Sequence, residues 1–260
     1  MKVKGIVKQW RFPEATERRL SRSLKEAVRD LVVFMRGKTR SMKFDATDQE
    51  ISTAEEEITE FAKNLALSLI GLLPSIAAEV YKFNSKQWVK VAKSAGGADN
   101  QAVILLILYG ANQDEEWYRT LYGEWYNMSA GAYDKLFTNI INDWSSNIRQ
   151  ANFTGKKTAQ VNEIAEKRFA VYSSWAGNRA TGIVGSWNSR LMRQRLYDAG
   201  VDSYIWRGVM DERERLKHVQ WEGKEISLNE IHVFPGEEYG CRCWAIPKFK
   251  RANNEESTTI

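Results

Sequence analysis

Cysteine and histidine are scarce in this chain, and their scarcity excludes whole classes of protein. Two cysteines and two histidines occur in 260 residues. Two cysteines cannot build the disulfide framework that stabilises small secreted domains. Four prolines and 17 glycines exclude a collagen-like or low-complexity chain. With 43% hydrophobic and 27% charged residues, the composition is that of a globular protein with a sizeable core.

Long hydrophobic runs are also missing. The most apolar stretch, residues 65–80, is interrupted by Pro74 and Glu79. It therefore falls short of the roughly 20 clean apolar residues that a membrane span needs. The first residues lack an apolar core of signal-peptide length. We therefore expect no membrane partner, and we expect synthesis in a reducing compartment, the cytoplasm.

Positive charge is concentrated at the start of the chain. Residues 1–46 carry 13 Lys and Arg against five Asp and Glu, a net of +8, whereas the remainder carries 25 against 28, a net of −3. Such a segment predicts an acidic partner, either nucleic acid or an acidic protein surface. The alternative is a solvated helix face. The predicted contacts with an acidic partner are Arg18, Arg19, Arg22, Lys25 and Arg29.

Helical periodicity dominates most of the chain. Apolar residues recur every three or four positions after Pro13, behind the capping-box sequence "TDQE" at 47–50, and over 133–148. The apolar run "AVILLILY", 102–109, fits a buried strand or a buried helix. We favour a helix because the neighbouring segments are helical. After the loop-like "QANFTGKK", a helical pattern resumes over about 158–197.

The pattern changes after Gly200. "VDSYIWRGVM", 201–210, alternates apolar and polar residues as a strand does. "VQWEGKEISL", 219–228, has a glycine between two short runs and predicts a hairpin, and "CRCWAIP", 241–247, predicts a closing strand. We therefore predict an α+β fold, with a mostly α-helical N-terminal region and a small α+β C-terminal domain of short antiparallel strands. The predicted divisions are a basic segment and helix at 1–46, a helical domain at 47–150, an α+β domain at 158–247 and a mobile tail at 248–260.

The residue types that bind zinc lie close together near the carboxyl end. His218, His232, Cys241 and Cys243 fall within 26 positions and are the only histidines and cysteines of the chain. Zinc prefers thiolates and imidazoles, four ligands in tetrahedral array. We predict a metal site of His218, Cys241 and Cys243, with Asp211 as an alternative fourth ligand. Two other interpretations stay open: a redox pair, and two small buried side chains without a metal.

The charged stretch "MDERERLKH", 210–218, admits two interpretations. Asp211 and His218 could serve as an acid and a base, with Arg213 and Arg215 binding an anion. Alternatively, the same charges form a network of ion pairs around the turn of a small domain. The sequence contains no nucleophile elbow, P-loop, Rossmann glycine pattern or His-Glu-x-x-His motif.

An ordered signature runs through the carboxyl-terminal part of the chain. A Gly-Val pair, a strand ending in Trp, Asp-x-Arg-x-Arg-x-x-His, a gap to Gly and a Pro-Gly loop before Cys-Arg-Cys follow one another. This order resembles the phage Mu F-like family of minor head (head morphogenesis) proteins, over roughly residues 158–247. Many relatives carry Cys-x-x-Cys where this chain has Arg-x-x-His. The matching residues are Gly200, Val201, Trp206, Asp211, Arg213, Arg215, His218, Gly223, Pro235, Gly236, Cys241, Arg242 and Cys243.

The resemblance implies a structural function, not an enzyme. It implies a low-copy minor capsid protein that acts in head morphogenesis, assembles in the host cytoplasm and ends in the virion, in the head interior or at the portal vertex. The implied partners are the portal protein, capsid or scaffold proteins, and packaged double-stranded DNA. Two alternatives are a metal-dependent nucleic-acid hydrolase or effector that uses the Asp211, His218, Cys241 and Cys243 set, and a general DNA-binding accessory protein.

Overall fold

The fold is α+β, as predicted, with long helices followed by a small antiparallel sheet. The computed structural model describes residues 7–41, 46–97, 99–109, 115–153 and 158–249. The helices are α1 (Glu14–Ser41), α2 (Asp48–Ile70), α3 (Leu73–Gly96), α4 (Gln101–Tyr109), α5 (Tyr118–Phe153), α6 (Thr158–Asp198) and α7 (Leu216–Trp221), and the strands are β1 (Ser203–Arg207), β2 (Glu225–Ser227) and β3 (Trp244–Lys248).

The helix boundaries follow local chemistry. Thr47 caps α2, since its Oγ1 accepts a hydrogen bond from the Glu50 amide at 3.2 Å while the Glu50 carboxylate accepts one from the Thr47 amide at 2.7 Å. The predicted capping box is therefore confirmed. A turn at 71–72 separates α2 from α3, close to Pro74, which interrupts the apolar stretch 65–80. The helical stretch Asp48–Gly96 is long and apolar enough to cross a membrane, a criterion that core helices of soluble proteins also meet. Within its most apolar 18 residues, 33% are buried in the structure.

The run "AVILLILY" forms helix α4, as favoured from its neighbours, but most of it is not buried. Val103 is fully buried. Ile104, Leu105, Ile107 and Leu108 are between 41% and 70% exposed. The helix is apolar on all sides, and a helix that packs along one face leaves its other apolar side chains in solvent.

The sheet has the strand order β2-β1-β3, with both pairs antiparallel. Tyr204 on the central strand pairs with Ile226 on one side and Pro247 on the other. Tyr204 and Trp206 alternate with more exposed residues and face the core. We call residues 200–249 the sheet module.

The predicted hairpin over 219–228 is wrong. The first run of the predicted hairpin, up to Trp221, belongs to α7. The second run contains β2, which pairs with β1. The helix forms because His218 and Trp221, three positions apart, share one face that packs on the Trp206 ring. Gly223 then turns the chain with a φ of +75°, and its amide donates to the Trp206 carbonyl at 2.9 Å.

Two compact units interleave along the chain. Unit 1 comprises Met1–Glu14, Ala77–Tyr122 and Val184–Ile260, and unit 2 comprises Ala15–Ile76 and Gly123–Ile183. These units differ from the consecutive divisions predicted at 46 and 150, because contacts between distant parts of the sequence define them. Within unit 2, for example, the Trp144 indole donates to the Thr39 hydroxyl at 3.2 Å. Of the predicted tail at 248–260, Lys248 ends β3, and 250–260 lie outside the described residues.

Each unit has its own apolar core. In unit 2, rows of apolar side chains on α1, α2 and α5 are almost fully buried, as the helical periodicity predicts. In unit 1, the sheet packs with Trp10, Trp88 and the end of α6. The buried apolar residues of unit 2 include Leu20, Leu24, Val28, Leu31, Met35, Ile51, Ile58, Tyr133, Leu136, Ile140 and Ile148.

Candidate metal centre

Three predicted metal ligands converge in the sheet module. His218 lies on α7, and Cys241 and Cys243 lie in the loop that precedes β3. All three are buried, with 0%, 5% and 4% of their surfaces exposed. One ligand atom from each, the His218 ring nitrogen and the two sulfurs, all lie within 4.8 Å of one another. The two cysteines are not part of a regular strand, because β3 begins only at Trp244. Their sulfurs are therefore not held at the spacing of alternate strand residues.

The distances in this cluster fit a zinc ion. The Nδ1 atom of His218 lies 3.7 Å from the Cys241 sulfur and 3.4 Å from the Cys243 sulfur. Zinc–sulfur and zinc–nitrogen bonds in tetrahedral array place such atoms about 3.5 Å apart. The chain thus holds a His/Cys/Cys cluster that could bind a metal ion. The same contacts without a metal form a buried hydrogen-bonded cluster.

Glu214 places a carboxylate oxygen beside two of the three clustered atoms, a contact that sequence reasoning missed. Its Oε1 lies 3.0 Å from His218 Nδ1 and 3.4 Å from the Cys243 sulfur. Its other oxygen, Oε2, accepts a hydrogen bond from the Val209 amide at 3.2 Å. This bond leaves Oε1 directed at the cluster. Burial alone would raise the pKa of Glu214, but hydrogen bonds from Cys243, His218 and the backbone at Met210 lower it, so the carboxylate is favoured.

Glu238 orients the histidine from the opposite side. Its Oε2 lies 2.7 Å from Nε2 of His218, and its Oε1 accepts a hydrogen bond from Lys217. Burial opposes ionisation of Glu238, but the hydrogen bonds with Lys217 and His218 lower its pKa. Histidines that ligate metals usually donate their second N–H to such a carboxylate, which fixes the ring and its tautomer.

The two cysteines have opposite tendencies to ionise. The neighbouring Cys243 side chain, assisted by the backbone amides of Cys243 and Gly236, lowers the pKa of Cys241 to about 6 despite its burial. Proximity to Cys241, together with burial, raises the pKa of Cys243. The Cys241 sulfur therefore has thiolate character near neutral pH, which is the form that binds metals.

Asp211, the alternative fourth ligand in the sequence prediction, lies in a different arrangement. Its carboxylate accepts a hydrogen bond from the Arg242 guanidinium, which lowers the Asp211 pKa. Arg213 is 81% exposed and 3.8 Å from the same carboxylate. Arg215 donates to the Tyr239 carbonyl. Asp211, Arg213 and Arg215 therefore contact partners outside the cluster, and Glu214 rather than Asp211 lies beside the Cys243 sulfur.

His232 and the remaining signature residues shape the surroundings of the cluster. His232 packs against Trp221, with ring centres 4.3 Å apart, and is not one of the clustered donors. Trp206 is fully buried beside His218. The Pro235 carbonyl accepts a hydrogen bond from the Ser189 hydroxyl at 2.9 Å. Gly236 adopts a φ of +81°, which favours glycine, and a Cβ there would lie in ordinary van der Waals contact with Ser189 and the Cys243 carbonyl.

The five basic residues predicted to contact an acidic partner lie on α1, within unit 2. Arg18, Arg22, Lys25 and Arg29 are exposed, whereas Arg19 is half-buried and donates to the Ser75 hydroxyl at 3.2 Å. Four of the five predicted contact residues are therefore exposed to solvent.

No periodic signal in the sequence points to Glu214. It precedes Arg215, the N-cap of α7, and follows a turn in which its amide donates to the Asp211 carbonyl. Its position beside His218 and Cys243 therefore depends on this turn and on tertiary contacts. No protein-family model, curated protein or solved structure matches this chain.

Proposed function

We propose that this chain is a minor head protein of a tailed phage, a structural component whose sheet module is organised around zinc. The observation that carries the proposal is that the signature residues interact with one another. Asp211 pairs with Arg242, and Glu214 bonds both His218 and Cys243. Residues used in this way maintain a fold, which supports a structural rather than a catalytic role.

The proposed zinc ligands are Cys241, Cys243, His218 and Glu214. Zinc would supply the bonds that hold α7 to the loop before β3. A catalytic zinc site keeps an open position for water or substrate, whereas structural sites are closed. The three clustered donors are at most 5% exposed, and the cavity beside the cysteines measures about 10 Å³, the space of about one water molecule. This closure supports the structural role over a hydrolytic centre.

The proposed place of the protein is the head interior or the portal vertex of the virion, after assembly in the host cytoplasm. Its proposed partners are the portal protein, capsid or scaffold proteins, and packaged double-stranded DNA. This part of the proposal depends on the ordered signature from Gly200 to Cys243. The intact folding of that signature as one module supports it.

The test is sedimentation of phage heads from infected cells that express a tagged copy of the chain. We expect the tagged protein in the head fraction, and we expect His218→Ala to remove it from that fraction. Arg213→Ala is the matched control, because Arg213 belongs to the same stretch but is 81% exposed. Exclusion of the unmodified protein from heads would contradict the proposal.

A second readout separates the structural from the enzymatic role. If the cluster were a hydrolytic centre, His218→Ala protein would keep its fold and lose turnover of nucleic acid. We expect instead that His218→Ala protein loses the fold of the sheet module, measured by amide hydrogen exchange in β1 and β3. Nuclease activity that depends on His218 in a folded variant would overturn the structural assignment.

A further inference from the structure

A row of lysines follows one face of α3. Lys82, Lys86, Lys90 and Lys93 are exposed and recur every four or three residues, so they lie on one side of the helix. Between Lys82 and Lys93 this row spans about 16 Å along the helix axis. Among the described residues, none of the four has an ion-pair partner. Glu79 is the single acidic residue of α3.

A cleft of about 410 Å³ opens beside this row, between the segment preceding α1 and α3 itself. Its lining residues are all basic or carboxamide-bearing. Within the described part of the chain, the side chains of these residues have no ion pairs or hydrogen bonds. The lining residues are Lys8, Gln9, Arg11, Gln87 and Lys90.

The segment that forms one wall of the cleft is held in place by its own contacts. The Trp10 ring is buried and stacks on Trp88 of α3, with ring centres 5.5 Å apart. The Lys8 amide donates to the Ser94 hydroxyl at 2.9 Å. These contacts fix the backbone, so the basic side chains on either side of Trp10 are presented at a set position.

Gln87 adds a hydrogen-bond donor to the cleft. The residue is 8% exposed, and its carboxamide makes no hydrogen bond among the described residues. Its amide atoms are not among the buried atoms without a partner, so solvent in the cleft reaches them. Because Gln87 lines the cleft, its N–H groups are available to an acceptor that enters there, such as an oxyanion.

The lining chemistry selects an anion, and the surroundings favour nucleic acid over an acidic protein. Protein interfaces are centred on apolar or aromatic residues, whereas nucleic-acid interfaces are more polar and strongly positive. Here both aromatic residues next to the cleft, Trp10 and Trp88, are buried. The cations continue past the cleft along α3, which suits a repeating polyanion rather than one phosphate ion.

We propose that this cleft and the lysine row bind the phosphodiester backbone of duplex DNA. The proposal deepens the proposed function by naming the surface that would meet packaged DNA. It rests on that function only for the source of the DNA. Binding to DNA in solution can therefore succeed or fail whether or not the protein enters heads.

The experiment compares two triple variants of the full chain that lose equal charge. The cleft variant carries Lys8→Gln, Arg11→Gln and Lys90→Gln. The control variant carries Lys63→Gln, Lys135→Gln and Lys224→Gln, three exposed lysines on α2, α5 and the turn before β2 that belong to neither predicted binding surface. Affinity for a short fluorescent DNA duplex is measured by anisotropy over a series of salt concentrations, and circular dichroism checks that each variant is folded.

We expect the cleft variant to lose about tenfold or more in affinity at low salt, and the slope of log affinity against log salt to fall by about 2.7, since each phosphate contact contributes about 0.9. The control should change affinity by no more than about threefold. A neutral variant, Gln87→Met, should weaken binding with little change in slope. Equal losses in both triple variants, or no loss in the cleft variant, would overturn the proposal.

Two competitors identify the ligand class. Polyglutamate that binds the cleft as tightly as the duplex would assign the surface to an acidic protein and overturn the proposal. Inorganic phosphate that occupies the cleft while the duplex does not bind would overturn it as well. Displacement of the duplex only by other nucleic acid supports it.

Discussion

Unit 2 and the sheet module are stabilised by different kinds of side chain. Unit 2 buries rows of aliphatic and aromatic residues, and its Glu55–Arg149 ion pair, at 2.5 Å, lies partly in solvent. The sheet module has three short strands, and His218, Cys241 and Cys243 are buried near its centre. A small domain has too little apolar surface for a large core and needs additional links. In unit 2 the ion pair lies at the edge of an apolar core. In the sheet module, His218 and the two cysteines occupy positions that apolar side chains would fill in a larger core.

The largest expected effect comes from removing a sulfur from the sheet module. Cys243→Ser should abolish metal binding and lower the free energy of opening of the module by about 5 kcal/mol or more, because structural zinc contributes roughly 10 kcal/mol or more. Hydrogen exchange should show lost protection in β1 and β3 with unchanged protection in α2 and α5. Uniform loss of protection across both regions would break the contrast between them.

A core truncation in unit 2 should destabilise unit 2 and leave the sheet module and its metal content unchanged. Ile58 is fully buried, so Ile58→Ala should lower the free energy of unfolding by about 3 kcal/mol through lost contacts and a cavity. Metal content should stay the same. Val33→Ala is the control, since Val33 is 60% exposed and its truncation should cost little. Metal loss in Ile58→Ala protein would contradict this separation.

The next effect sharpens the ligand set of the sheet module. Glu214→Gln keeps the shape of the side chain but removes its charge, and it should weaken zinc binding by about tenfold, as measured by competition with a chelating dye. Asp211→Asn is the matched change and should leave zinc affinity unaltered, because Asp211 bonds Arg242 instead. A larger loss of zinc affinity in Asp211→Asn than in Glu214→Gln would make Asp211, not Glu214, the fourth ligand.

The smallest effect concerns the ion pair of unit 2. Hydrogen bonding to Arg149 lowers the pKa of Glu55 against the opposing effect of burial, and Ser145 assists. A lowered folded-state pKa means that the stabilisation is present above the usual value of 4.5 and is lost as pH falls through the folded-state value. Glu55→Gln should therefore cost only about 0.5 kcal/mol at pH 7, since the Arg149 side chain is 41% exposed and solvent screens the pair. In urea titrations this difference should vanish near pH 3.

The sequence was informative where periodic apolar residues decide the structure. The helical pattern behind Thr47 and the alternation over 201–210 were enough to predict α2 and β1. The hairpin prediction at 219–228 failed because short segments such as α7 are decided by tertiary packing, here on Trp206. The same dependence on tertiary contacts hid Glu214 and the interleaving of the two units. Residue type alone was enough to predict that His218, Cys241 and Cys243 form a cluster. The only other histidine or cysteine in the sequence is His232.

The most direct measurement is the zinc content of the purified full-length chain, with hydrogen exchange before and after a strong chelator. We predict one zinc ion per chain. We also predict that the chelator removes protection from β1 and β3 while α2 and α5 keep theirs. A fully folded sheet module that contains no metal, and that a chelator does not affect, would contradict the claim that this polar centre holds zinc.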